Sequence, residues 1–210
     1  MNKDYFNNID TETKAYLLGF ILADGWVTSN GRVLGLSVLT SDIDILLLLK
    51  NELNSKHKIQ TRTKGRANPL SRIEISCSAI VTSLNKLGIT SDKSLHATLP
   101  KIDNDLVPHM LRGLFDGDGS FSSLRQPVIA SSSLDLLEDI NKWLSNNKYP
   151  ECSMYTSNSG VNTSYRLVVN IPQSSVIDLM YKNANVYLPR KMAQYDDYTK
   201  LIASKIKGRE

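Results

Sequence analysis

Two aspartates carry the chemistry this sequence can do. Asp24 lies in the run YLLGFILADG (16–25), and Asp118 holds the same place in MLRGLFDGDG (110–119). Read as helices, the runs put Gly19 and Ala23, or Gly113 and Gly117, four residues apart. Such a stripe of small side chains lets another helix approach closely. Two copies of the stripe imply that the motif helices pack on each other about a pseudo-twofold axis. Gly25 and Gly119 then read as left-handed C-terminal caps, so each aspartate falls in the last turn of its helix. A carboxylate there opposes the helix macrodipole, at about 0.3–1 kcal/mol where exposed, and two neighbouring carboxylates repel. The arrangement calls for a cation. Carboxylate oxygens at a polar interface suit Mg²⁺. Paired divalent ions about 3.5–4 Å apart can activate water and stabilise a leaving oxygen in phosphodiester cleavage. The plainer alternative is an Asp-Gly turn that only closes a helix; two copies in register weigh against it.

The elements that must position these aspartates repeat as well. After each motif a short strand enters a helix: VLGLSVLTSDIDILLLLKNEL in one half, QPVIASSSLDLLEDINKWL in the other. Thr40-Ser41-Asp42 and Ser131-Ser132-Ser133 sit at those junctions, where hydroxyl and carboxylate side chains cap helices. A strand pair follows, HKIQTRTK with LSRIEISC and ECSMYTS with SYRLVVNI, and then a closing helix, AIVTSLNKLG or QSSVIDLMYKNA. Alternation sends Ile73, Ile75 and Cys77 to one face, and Arg72, Glu74 and Ser76 to the other. Likewise Tyr165, Leu167, Val169 and Ile171 oppose Ser164, Arg166 and Asn170. The expected fold is α+β, with two pseudo-symmetric αββαββα repeats over 1–100 and 101–210 and helices on one face of each antiparallel sheet.

Composition limits the alternatives. The 210 residues are 41% hydrophobic with a formal charge of +4 and a pI near 9.0, which is compatible with nucleic acid. Cys77 and Cys152 belong to no metal-binding or disulfide pattern, and His57, His96 and His109 have no metal-ligand spacing. The N-terminus lacks a signal-peptide core and the longest apolar runs are too short to span a bilayer. A soluble intracellular protein, with no membrane partner, is expected.

LLGFILADG and LRGLFDGDG resemble the signature of the LAGLIDADG homing endonucleases. GITSDKSLHATLP before the second motif and VYLPRK near the end of the second half are similar to that family too. The resemblance covers about residues 13–195. It implies a monomer folded as a pseudo-dimer, whose two sheets form a DNA-binding saddle on double-stranded DNA. It also implies Mg²⁺-dependent double-strand cleavage of a long, non-palindromic site, with Mn²⁺ or Ca²⁺ able to substitute in binding. Asp24 and Asp118 would be catalytic metal ligands, with Ala23 and Gly117 completing the metal set. Lys93 and Lys191 match lysines that help organise the attacking water; contact with phosphate or solvent is the other reading. Thr40, Ser41, Ser131 and Ser132 are either polar support for the site or helix caps. The first motif departs from the signature at its sixth position, with Leu22 where the second has Asp116.

The DNA-reading surface is expected on the strands. Residues 56–72 hold Lys56, Lys58, Arg62, Lys64, Arg66 and Arg72 with no acid between them. Lys58, Gln60, Arg62 and Lys64 would share one strand face, offering Gln and Arg to base edges and Lys to phosphates. The second half offers the less charged set Tyr155, Ser157, Arg166 and Asn170. Arg32, Ser37 and Arg125 are further expected contacts. The basic KLIASKIKGRE end reads as a backbone contact or an unstructured tail. A non-cutting binder on the same fold, either an intron-RNA maturase or a transcription regulator, is the alternative; intron RNA is then a second candidate partner.

Overall fold

The computed structural model describes residues 1–63, 68–121, 126–159, 162–169 and 174–207. They form two compact units, Met1–Lys93 with Pro100–Leu114, and Ser94–Leu99 with Phe115–Glu210.

In the first unit, α1 (Glu12–Asp24) starts at Thr11, whose hydroxyl accepts the Lys14 amide at 3.2 Å. Its residues from Ala15 to Leu22 are all buried, as befits a helix that is apolar on every side. The chain passes directly into β1 (Gly25–Val27) and returns as β2 (Val33–Leu39). Then come α2 (Asp44–Glu52), β3 (Gln60–Arg62), β4 (Leu70–Ser76) and α3 (Ser78–Lys86). The sheet order is β1-β2-β4-β3, antiparallel throughout. Leu34, Leu36, Val38, Ile73 and Ile75 line its inner face, beneath Ile45, Leu46 and Leu49 of α2 and Ile80, Val81 and Leu84 of α3. The alternation expected for Arg72–Cys77 therefore holds.

After α4 (Lys93–His96), helix α5 (Val107–Asp118) begins in the first unit and leaves it after Leu114. Its first part lies against α1. A Cβ on Gly19 would stand 1.9 Å from the Met110 carbonyl oxygen, and one on Gly113 would stand 2.0 Å from that of Tyr16. Only glycine permits this backbone approach, and it does so from both sides. The small-residue seam is real, and Gly19 and Gly113 carry it.

The second unit repeats the order with β5 (Gly119–Phe121), β6 (Pro127–Ser131), α6 (Leu134–Asn146), β7 (Ser153–Ser159), β8 (Asn162–Val168) and α7 (Ser174–Tyr181). Its sheet runs β5-β6-β8-β7. Ile129, Leu167 and Val169 are buried with Leu136, Leu137, Ile140 and Leu144 of α6. Helix α8 (Pro189–Lys207) then adds 19 residues. The basic tail is thus largely the end of a long helix, beyond what alternation or turn signals revealed.

The two junctions differ from expectation in one case. Ser133 does cap α6, accepting the Leu136 amide at 3.4 Å. Thr40–Asp42 instead form a 3₁₀ turn, and α2 starts after Ile43 without a side-chain cap. The reason is lateral: the Thr40 hydroxyl is 3.0 Å from that of buried Ser71 on β4, which also meets Thr61 of β3 at 2.9 Å.

Candidate active site and nucleic-acid face

Both motif helices end in the same graded burial. Ala23 and Gly117 are half-buried, Asp24 and Asp118 are exposed, and Gly25 and Gly119 are buried. The glycines are not left-handed caps. Gly25 has φ −82° and ψ 164°, extended backbone that leads straight into β1. What requires glycine is space: a Cβ would stand 2.7 Å from Ile21 Cγ2 at Gly25, and 2.4 Å from Phe115 Cδ2 at Gly119. The sharp helix-to-strand passage leaves each aspartate outside while the backbone beside it stays packed.

A buried lysine closes each end. Lys93 is 7% exposed, and its ammonium donates to the carbonyls of Leu22 and, at 3.1 Å, Ala23. Lys191 is 2% exposed; its ammonium donates to the Gly119 carbonyl and lies 4.9 Å from the Phe115 ring centre. A cation at the C-terminal end of a helix offsets its dipole and satisfies carbonyls the helix leaves open. The sequence singled out both lysines but could not show which atoms they touch.

Asp116 was legible only as a departure between the motifs. It has no exposed surface; Tyr181 donates its hydroxyl to Oδ1 and Leu188 its amide to Oδ2 at 2.7 Å. Leu22 fills the matching place in α1 and is buried.

Among the described residues no group of three or more His, Cys, Asp or Glu side chains could hold a metal. A hard divalent cation that takes one or two carboxylates and keeps water or phosphate oxygens fits such a donor set. A zinc-type cage does not. Cys77 and Cys152 are free and buried, and burial pushes the Cys152 thiol up to about 12, away from nucleophile chemistry.

The open face of the first sheet carries Trp26, Gly35, Ser37, Gln60, Arg62, Arg72 and Glu74. Ser37 and Gln60 flank Arg72 in register. The Arg72 guanidinium stacks 4.5 Å from the Trp26 ring centre and pairs with Glu74. Trp26 in turn lies flat on Gly35, where a Cβ would come within 2.0 Å of the indole. The strand expected over 57–64 covers only Gln60–Arg62. Exposed Lys58 therefore precedes it, beside a shallow cavity of about 220 Å³ lined by His57, Lys58, Gln60, Arg72, Glu74 and Ser76. Exposed Arg32 sits at the β1–β2 turn, its amide held by Thr28 and Asn30. On the second sheet Tyr155 pairs with Arg166 and Ser157 with Ser164, so Tyr155, Ser157 and Arg166 share the open face. Lys64, Arg66, Arg125 and Asn170 lie outside the described residues. Trp26 and Glu74 were missed as partners of Arg72; alternation puts Glu74 on the same face, but only the pairing register brings Trp26 to them.

Residues 105–171 match the family model described as a LAGLIDADG-like domain. The fold is shared with I-DmoI in complex with DNA and Ca, at 18% identity over 89% of this chain and 97% of that one, with a TM-score of 0.61. Meganuclease I-SmaMI bound to uncleaveable DNA is similar at 14% identity, covering 92% and 91%, with a TM-score of 0.60. Full-length DUF199/WhiA from Thermatoga maritima is similar at 18% identity over 94% of this chain and 64% of that one, with a TM-score of 0.56. No curated protein matches the sequence. Among the described residues no helix is long and apolar enough to cross a membrane.

Proposed function

We propose that this chain is a site-specific DNA endonuclease that makes a metal-dependent double-strand break at a long, non-palindromic target. The observation that carries the reading is the repeated helix end: an exposed aspartate, a buried glycine after it, and a buried lysine on the neighbouring carbonyls. That this occurs twice, on the fold of DNA-bound I-DmoI and I-SmaMI, supports cutting over binding alone.

Asp24 and Asp118 would hold Mg²⁺, with backbone oxygens of Ala23 and Gly117 as further ligands. The Ala23 carbonyl accepts from Lys93 and keeps a second lone pair for this purpose. When bound, the ion would supply water activation and neutralise charge on the phosphate. Lys93 and Lys191 would hold the helix ends in shape through their carbonyl contacts. Gln60, Arg62, Arg72, Tyr155 and Arg166 would meet the DNA, with Arg72 the strongest candidate for a base edge.

The test is cleavage. A randomised duplex library, selected for cutting by the native protein in Mg²⁺, should yield one long asymmetric site. Loss of double-strand cutting in both Asp24→Asn and Asp118→Asn is the expected outcome. DNA or RNA binding without cutting in Mg²⁺ or Mn²⁺ would favour the maturase or regulator reading and sink this one.

A further inference from the structure

Asp116 has a task outside the proposed metal chemistry. Its carboxylate fastens two separate segments to α5: Tyr181 at the end of α7, and Leu188 just before α8. The Leu188 carbonyl accepts the amides of Lys191 at 2.9 Å and Met192 at 3.1 Å, so the residue Asp116 grips is also the one on which α8 starts. The Arg190 guanidinium reaches the Asp116 carbonyl at 3.4 Å, adding a second tie between the same stretches. Lys191 follows three positions after Leu188 and turns back to the Gly119 carbonyl, one residue past Asp118. The first repeat delivers its lysine differently. Lys93 opens α4 behind a turn in which the Thr90 hydroxyl donates to Asp92 at 2.9 Å, and Leu22 stands where Asp116 would be.

We propose that Asp116 is a positioning residue of the second repeat alone. It holds the start of α8 on the motif helix and thereby sets the Lys191 ammonium at the end of that helix. A buried carboxylate that accepts two donors cannot be replaced by an amide without turning a donor toward one of them. The consequence for cutting rests on the endonuclease reading above; the positioning itself does not.

The first measurement therefore needs no DNA. The full-length protein and its variants are treated briefly with acetic anhydride, and acetylation is followed lysine by lysine by mass spectrometry. In the native protein Lys93 and Lys191 should both react slowly. In Asp116→Asn, Lys191 should react about tenfold faster, the equivalent of one ordinary hydrogen bond, with Lys93 unchanged. Tyr181→Phe removes one donor and should produce a smaller rise at Lys191 alone, which keeps the test open if the asparagine variant folds poorly. Unchanged Lys191 reactivity, or equal rises at both lysines, would overturn the proposal. On DNA selected by the native protein, Asp116→Asn should slow nicking of one strand while binding in Ca²⁺ is preserved. Equal slowing of both strands would refute the second-repeat assignment. A native protein that cuts no DNA would defeat the endonuclease reading and leave the acetylation result to decide the positioning.

Discussion

In the first repeat the ammonium at the motif helix end comes from Lys93 on a four-residue helix, and the nearby motif position is apolar Leu22. In the second it comes from Lys191, at the head of a 19-residue helix, and that position is the buried acceptor Asp116. The sheets show the same kind of difference. In pairing register Arg72 and Arg166 occupy equivalent places, since the strand position beside each follows the residue opposite the motif glycine. Arg72 has Trp26 beneath it and Glu74 beside it, whereas Arg166 faces Tyr155 across the strand pair. The two repeats thus share the backbone and the position of the charged group. The contacts that support the group differ between them.

The largest expected effect tests whether the repeats are equal where they look most alike. Asp24→Asn and Asp118→Asn should each lower double-strand cutting by at least about a thousandfold, about 4 kcal/mol of transition-state stabilisation. Binding in Ca²⁺, followed by gel shift, should persist. A variant that still cuts both strands would show that only one repeat is catalytic.

Next comes the seam. Gly19→Val and Gly113→Val each drive a side chain into backbone, which cannot move aside cheaply, and should cost about 3 kcal/mol or more in urea denaturation. The two losses should be similar if the approach is as reciprocal as the contacts indicate. Gly31→Ala faces open space at φ +68° and should cost only about 1–2 kcal/mol of backbone strain.

A smaller effect concerns base reading. Arg72→Ala should lose about 1–3 kcal/mol of discrimination at one base pair, read from the selected target profile. Trp26→Leu should relax the same base pair by about 0.5–1 kcal/mol, as the stacked platform is lost. Arg166→Ala should act at a different base pair. If Trp26→Leu changes no base preference, the stack is structural only.

The smallest effect is a pH dependence confined to the first repeat's contact with α5. Burial, then the Arg112 charge, hold His109 below its usual 6.5, outweighing Glu12, which acts the other way. The unfolded chain therefore takes the proton first, and folding stability should fall as pH drops through 6.5. Urea midpoints at about pH 8 and about pH 5 should differ less in His109→Gln than in the native chain. An equal difference would reject this source. Arg112, 1% exposed and bonded to Glu12 at 2.7 Å, makes Glu12→Gln a destabilising control at both pH values.

Much of this was legible along the chain because it is local or periodic. The alternation of Ile73, Ile75 and Cys77, the cap at Ser133 and the glycine stripe each follow from spacing, and the structure keeps them. The misses share a cause. Gly25 and Gly119 read as left-handed caps because that is the usual reason for glycine after a helix; the true reason is Ile21 and Phe115 packed over them. Thr40 read as a cap until Ser71, across the sheet, claimed its hydroxyl.

By itself, then, the sequence determined two matching repeats, their strand faces and the two aspartates, since each depends on residues within a few positions of one another. Only the tertiary structure decided what each polar group touches: Lys93 on Leu22 and Ala23, Lys191 on Gly119, Asp116 on Tyr181 and Leu188, and Arg72 on Trp26. These pairs lie far apart in sequence, and a buried polar group takes the partner that the packed chain brings within reach.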